Sequence, residues 1–127
     1  MLVSIHNDSC EYINDQATGF KVAVSTANPE ATRANRLEAC MIERYQADTK
    51  LPYRPSSITP DMLEYHVFDE IYNQTPAAII ETGFMNLDRT FLTEHTDLVA
   101  KGVSDGILCF VRNESVNVKQ PTPTNVP

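Results

Sequence analysis

Residues 76–86 read PAAIIETGFMN, and the fold turns on them. Pro76 to Ile80 is a short apolar run of the kind that makes a strand buried on both faces, and the β-branched Ile79 and Ile80 favour extended backbone. The run ends at a carboxylate, Glu81, with Gly83 close behind. This predicts a core strand carrying an acid at its tip, with Gly83 turning the chain sharply and admitting a ligand at close range. The carboxyl ends of core strands are where α/β sheets place their chemistry. The plain alternative is a strand that stops at an ordinary charged surface residue.

Working outward, Leu2 to Asp8 (LVSIHND) is a second short apolar strand that ends in a polar cluster led by His6. Phe20 to Ser25 alternates apolar and polar residues, predicting another strand with one buried face beside the first. Asn28-Pro29-Glu30 combines a capping side chain, a proline suited to the first helical position and an acid at the positive end of the dipole. The helix it starts carries Ala34, Leu37, Met41 and Tyr45 on one face through about Ala47. Buried there, each large side chain contributes roughly 1.5 to 3 kcal/mol. Pro52, Pro55 and Pro60 mark a loop, and Thr59-Pro60-Asp61 opens a further helix with Leu63, Val67 and Ile71 at four-residue spacing. Beyond Asn86 the pattern allows one helical turn over residues 88–92. A longer helix then bears a stripe from Leu98 to Val111, in which Gly102 and Gly106 suggest close packing on the sheet.

The expected fold is α/β: a mixed sheet with flanking helices in the order strand, strand, helix, helix, strand, helix. Residues 1–112 form the domain, and 113–127, with Pro121, Pro123 and Pro127, a proline-rich tail or linker. A chain of 127 residues with 42% hydrophobic content is globular and sufficient for one domain. The net charge of −7, with 17 acidic and 10 basic residues and no basic cluster, argues against nucleic acid as a partner. No apolar run approaches the roughly 20 residues that span a bilayer, and the amino terminus lacks the pattern of a signal peptide. Cys10, Cys40 and Cys109 are an odd set without CxxC spacing, read as free thiols, with metal ligation by Cys10 a remote option. His66 and His95 read as satisfied surface imidazoles beside carboxylates on helices, and neither has the partner of a helical zinc pair.

Two segments together carry a family resemblance. SIHND, residues 4–8, resembles the SIHAN segment of the zinc-dependent N-acetylmuramoyl-L-alanine amidases that cut peptidoglycan, and AAIIETGFMN resembles their vLvE-GF-sN segment. Order and separation also agree, and the resemblance runs from about residue 2 to residue 111. It implies that His6 is a zinc ligand, that Glu81 is the catalytic acid/base, and that Asn86 matches the asparagine of the second segment. Arg54 resembles the basic residue that lies near the family's substrate groove. As a lone arginine it also reads as a surface charge.

Family members carry two more zinc ligands upstream, a histidine in a glycine-rich loop and a glutamate, and this chain begins after both. The sequence therefore resembles the back part of a catalytic domain, as in a gene fragment or a mistaken start, with its sheet truncated on the amino-terminal side. The resemblance implies a peptidoglycan hydrolase that cleaves the amide between N-acetylmuramic acid and L-alanine of the stem peptide by zinc-activated water, located extracellularly, in the periplasm or at the cell wall. With one of three family ligands present, the chain is expected to be inactive and to self-associate through an exposed sheet edge. The alternative is a non-catalytic cell-wall-binding remnant. A metal-free hydrolase pairing Cys10 with His6 is weaker, because their order and loop context fit no known nucleophile geometry.

Overall fold

The computed structural model of the chain describes residues 1–27 and 31–117. The helix start read at Asn28-Pro29-Glu30 and the prolines of the tail lie outside the described residues.

Among the described residues three strands, β1 (Leu2–Asp8), β2 (Lys21–Ala23) and β3 (Ala77–Phe84), form one sheet in the order β1-β3-β2. β3 pairs parallel with β1 and antiparallel with β2, so the sheet is mixed, as the sequence predicts. β2 does not lie beside β1, however. The apolar run of β3 takes the central place between them, where both of its faces are covered. For the same reason all three residues of β2 are buried, in place of the one-sided burial read from their alternation.

The period of two along β3 divides the interior. Ala78 and Ile80 join Phe20, Val22 and Val3 under the long helices α1 (Ala31–Thr49) and α5 (Thr96–Val111), which contribute Leu37, Met41, Ile42, Tyr45 and Val103. Ile79 faces the other way, with Ala23 and Met62, under Ile58, Leu63, Tyr65, Val67 and Phe68. That cover is not the continuous helix expected from Leu63, Val67 and Ile71. It consists of two single turns, α2 (Pro60–Leu63) and α3 (Val67–Glu70), with Ile71 already extended. Apolar side chains at 62, 63, 65, 67 and 68 would point all around a straight helix, and only a broken one lays them on one flat face. A 3-10 turn at Pro55–Ser57 precedes them, and α4 (Arg89–Glu94) precedes α5.

Two further expectations change. Gly102 and Gly106 meet α1 and not the sheet: a Cβ at residue 106 would lie 3.0 Å from the Met41 Cα, and one at residue 102 would lie 3.1 Å from the Tyr45 Cα. At that close approach Cys40 of α1 and Cys109 of α5 are joined in a disulfide, with Cα atoms 5.7 Å apart. Only Cys10 is a free thiol, and it is exposed.

Candidate functional site

In the sheet register His6 of β1 stands opposite Glu81 of β3, and Glu81 stands opposite Lys21 of β2. Register partners project to the same side, so imidazole, carboxylate and ammonium form one row across the face that carries Ile79 and Ala23. Glu81 is not the last residue of its strand. β3 continues to Phe84, and the register shifts between His6 and Asp8 so that Asp8 meets Phe84. Gly83 consequently makes no turn. Its missing side chain admits Leu92, whose Cδ atoms would lie 3.2 Å from a Cβ there.

The row is held closely. His6 Nε2 and the Ser4 hydroxyl are 2.7 Å apart, and the imidazole meets the Tyr65 ring edge-on at 5.4 Å. Lys21, only 5% exposed, forms an ion pair with Asp8, and its ammonium sits 4.9 Å from the centre of the Phe84 ring. Glu81 is half-buried, and its Oε2 has no hydrogen-bond partner among the described residues. Burial, followed by the charge of Asp8, pushes the Glu81 carboxyl up to about 7, while Lys21 pulls in the opposite direction. A carboxyl in that condition exchanges a proton near neutrality.

Arg54 and Asn86 occupy different places. Arg54 lines a groove of about 450 Å³ together with Asp8, Lys21, Ile13 and Phe84, next to the row. Its backbone N–H donates to Phe20 O and its Nε to Thr18 O, each at 2.9 Å. Asn86 lines a separate groove of about 430 Å³ with Asn7, Cys10, Met85 and Arg89, and its Nδ2 donates to Cys10 O at 3.1 Å. Cys10 is thus at the Asn86 groove, and His6 Nε2 faces Ser4 and not a thiol, which disfavours the Cys10 and His6 pairing. His66 pairs with Glu70 at 3.1 Å and its ring lies 4.4 Å from that of Tyr65, which separates it from His6, while His95 packs against Phe91.

The sequence reading missed Lys21, Asp8 and Asp88. Asp8 is two residues beyond His6 and so shares its face, a signal within reach. Lys21 required the β2 register. Zinc, implied by the resemblance, does not fit the residues present: no group of three His, Cys, Asp or Glu side chains able to hold a metal ion exists among the described residues.

The chain is an α/β domain whose mixed sheet sets an imidazole beside a half-buried carboxylate. Three solved structures share the fold: amidase AmiC2 of Nostoc punctiforme (18% identity, TM-score 0.62), an amidase from Clostridium difficile 630 (19%, 0.64) and Ami1 from Mycobacterium smegmatis (21%, 0.66). They align with 87%, 89% and 88% of this chain. The chain in turn spans 57%, 58% and 54% of their lengths, little more than half. No curated protein sequence matches significantly. The family model described as N-acetylmuramoyl-L-alanine amidase matches residues 1–109, and the chain belongs to that family.

Proposed function

We propose that residues 1–112 are part of the catalytic domain of a peptidoglycan hydrolase that cleaves the amide between N-acetylmuramic acid and L-alanine of the stem peptide, with 113–127 a tail or linker. Glu81 is the proton-transfer carboxylate, His6 a ligand of the zinc typical of the family, and Arg54 and Asn86 contact the substrate. The observation that carries this reading is the in-register placement of His6 beside Glu81, with the Glu81 carboxyl pushed up to about 7. Arg54 has the stronger geometric support of the two substrate contacts, because its groove adjoins the row.

His6 alone does not hold zinc usefully, and no complete donor set stands beside it among the described residues. The chain by itself is therefore inactive in this reading. A location outside the cytoplasm, at the cell wall or in the periplasm, is supported by the disulfide, since such bonds persist in oxidising compartments. Among the described residues no helix is long and apolar enough to cross a membrane. The second reading, a non-catalytic cell-wall-binding remnant, is favoured by one observation: His6 Nε2 is already engaged by Ser4.

The test uses mass spectrometry of peptidoglycan incubated with the protein and zinc. The chain alone should release no stem peptides. Joined to the front segment of one of the solved amidases it should release them, and Glu81→Gln should then lower the rate by about 10²- to 10⁴-fold, the range for a positioned acid/base. Hydrolysis that survives Glu81→Gln would sink the assignment. Peptidoglycan pull-down by the chain, unaffected by the same substitution and with no activity in the joined protein, would favour the remnant.

A further inference from the structure

Asp88 precedes α4 at the position where an acid ordinarily caps a helix, yet its side chain makes no bond to that helix. The carboxylate turns inward and is 5% exposed. One oxygen accepts from the Gly19 N–H at 2.8 Å and the Phe84 N–H at 2.9 Å, and the other from the Thr18 hydroxyl. A single buried side chain thus ties the end of β3, three residues past Glu81, to the turn at residues 18–20.

That turn is built around a glycine. Gly19 has φ +103°, in the left-handed region, and a Cβ there would lie 2.2 Å from the Pro52 carbonyl oxygen. Its neighbours grip the 52–54 segment: the Phe20 N–H donates to Pro52 O at 3.0 Å, the Arg54 N–H to Phe20 O at 2.9 Å, and Arg54 Nε to Thr18 O at 2.9 Å. Thr18 links the two ends directly, its hydroxyl donating to Asp88 and its carbonyl accepting from Arg54 Nε, while the neighbouring Gly19 N–H donates to Asp88 and Phe20 O accepts from the Arg54 N–H.

We propose that Asp88 is a positioning residue that holds the Arg54 guanidinium at the rim of the groove beside Asp8 and Lys21, acting through Thr18 and Gly19. The positioning stands on the geometry alone; its meaning for substrate rests on the reading of Arg54 given above. Unlike a residue that merely stabilises the domain, Asp88 then governs one particular side chain 34 positions away in sequence.

The experiment uses the full chain and two readouts. The first is the Arg54 Nε–Hε resonance in a ¹H–¹⁵N spectrum, which should be shifted and slowly exchanging in the unaltered chain. Asp88→Ala should lose it. Asp88→Asn should keep it, because the amide oxygen still accepts from Gly19 and Phe84 while the amide nitrogen donates to the Thr18 hydroxyl. If Asp88→Ala does not fold, Thr18→Val serves: it removes the hydroxyl but leaves the carbonyl, and should speed Hε exchange. A resonance unchanged in Asp88→Ala, or in Thr18→Val, overturns the proposal. The second readout is binding of a soluble N-acetylmuramoyl dipeptide. Arg54→Gln and Asp88→Ala should each weaken it about tenfold, the size of one hydrogen bond to a charged group. The double variant should also lose about tenfold, because the two act as one unit; a loss of about a hundredfold shows independent effects and overturns the proposal. Binding unchanged in Arg54→Gln overturns the substrate role of Arg54 and leaves its positioning to be decided by the spectrum.

Discussion

Glu81 and Glu38 are both pushed up to about 7, and burial is the first cause in each. Only Glu81 has its neighbours arranged for chemistry; Glu38 lies on α1 and carries a stability cost. Its ordinary value of 4.5 applies in the unfolded chain, so the fold favours the protonated form. The resulting stability is fully present below pH 4.5 and is lost as pH rises through about 7. Glu38→Gln should therefore raise the urea midpoint at pH 8 and flatten its slope between pH 4.5 and 7; a midpoint that falls equally at all pH values would contradict this. Tyr45 shows the opposite sort of burial. Its hydroxyl donates to Thr82 O at 2.7 Å in the interior, and Tyr45→Phe should cost about 1 to 3 kcal/mol of unfolding free energy by leaving that carbonyl unpaired. His6 and Glu81 were legible in the sequence because each closes an apolar run with a reactive group. Asp88 was not, because an acid before a helix reads as a cap, and two of its three partners lie about 70 residues away.

At the scale of elements, α1 and α5 are the most closely fitted pair, and glycine makes that fit. Adding a methyl at residue 106 brings it 2.5 Å from the Met41 sulfur, so Gly106→Ala should destabilise the chain by about 1 to 3 kcal/mol from overpacking, less about 1 kcal/mol gained in helix propensity. The spacing of Gly102 and Gly106 announced close packing but not the partner, since a helix can present small residues to a sheet or to another helix. The disulfide across the same contact spans 69 residues, and Cys40→Ala with Cys109→Ala should cost about 4 kcal/mol by the loop-entropy estimate, measured by urea unfolding. Cysteine spacing could not reveal it, because pairing depends on which helix faces meet. The strands were readable from apolar runs and alternation. Their order was not, because β2 could satisfy its pattern beside either neighbour. The segment from 60 to 71 misled because four-residue spacing in three of its apolar residues concealed the others, which need a broken backbone to reach the sheet.

For the whole molecule, β1 bears half of the His6 and Glu81 pair and is also, among the described residues, an outer strand of the sheet. Ile5 on it is 59% exposed, with Tyr12, Ile13, Met85 and Leu87 among the other exposed apolar side chains. An open edge with apolar side chains invites another chain to add to it. The protein should therefore sediment as concentration-dependent oligomers, and Ile5→Lys should shift it toward monomer; a wild-type chain that stays monomeric at all concentrations would refute this. The bridge between α1 and α5 has a separate consequence for handling. Both cysteines are 0% exposed, so a reducing agent reaches the sulfurs only after the helices part. Material that folded oxidised should keep its cross-link through purification in dithiothreitol, whereas material synthesised among cytosolic thiols should start without it and gain it slowly. The history of a preparation, more than the buffer it is stored in, then decides which covalent form is in the tube.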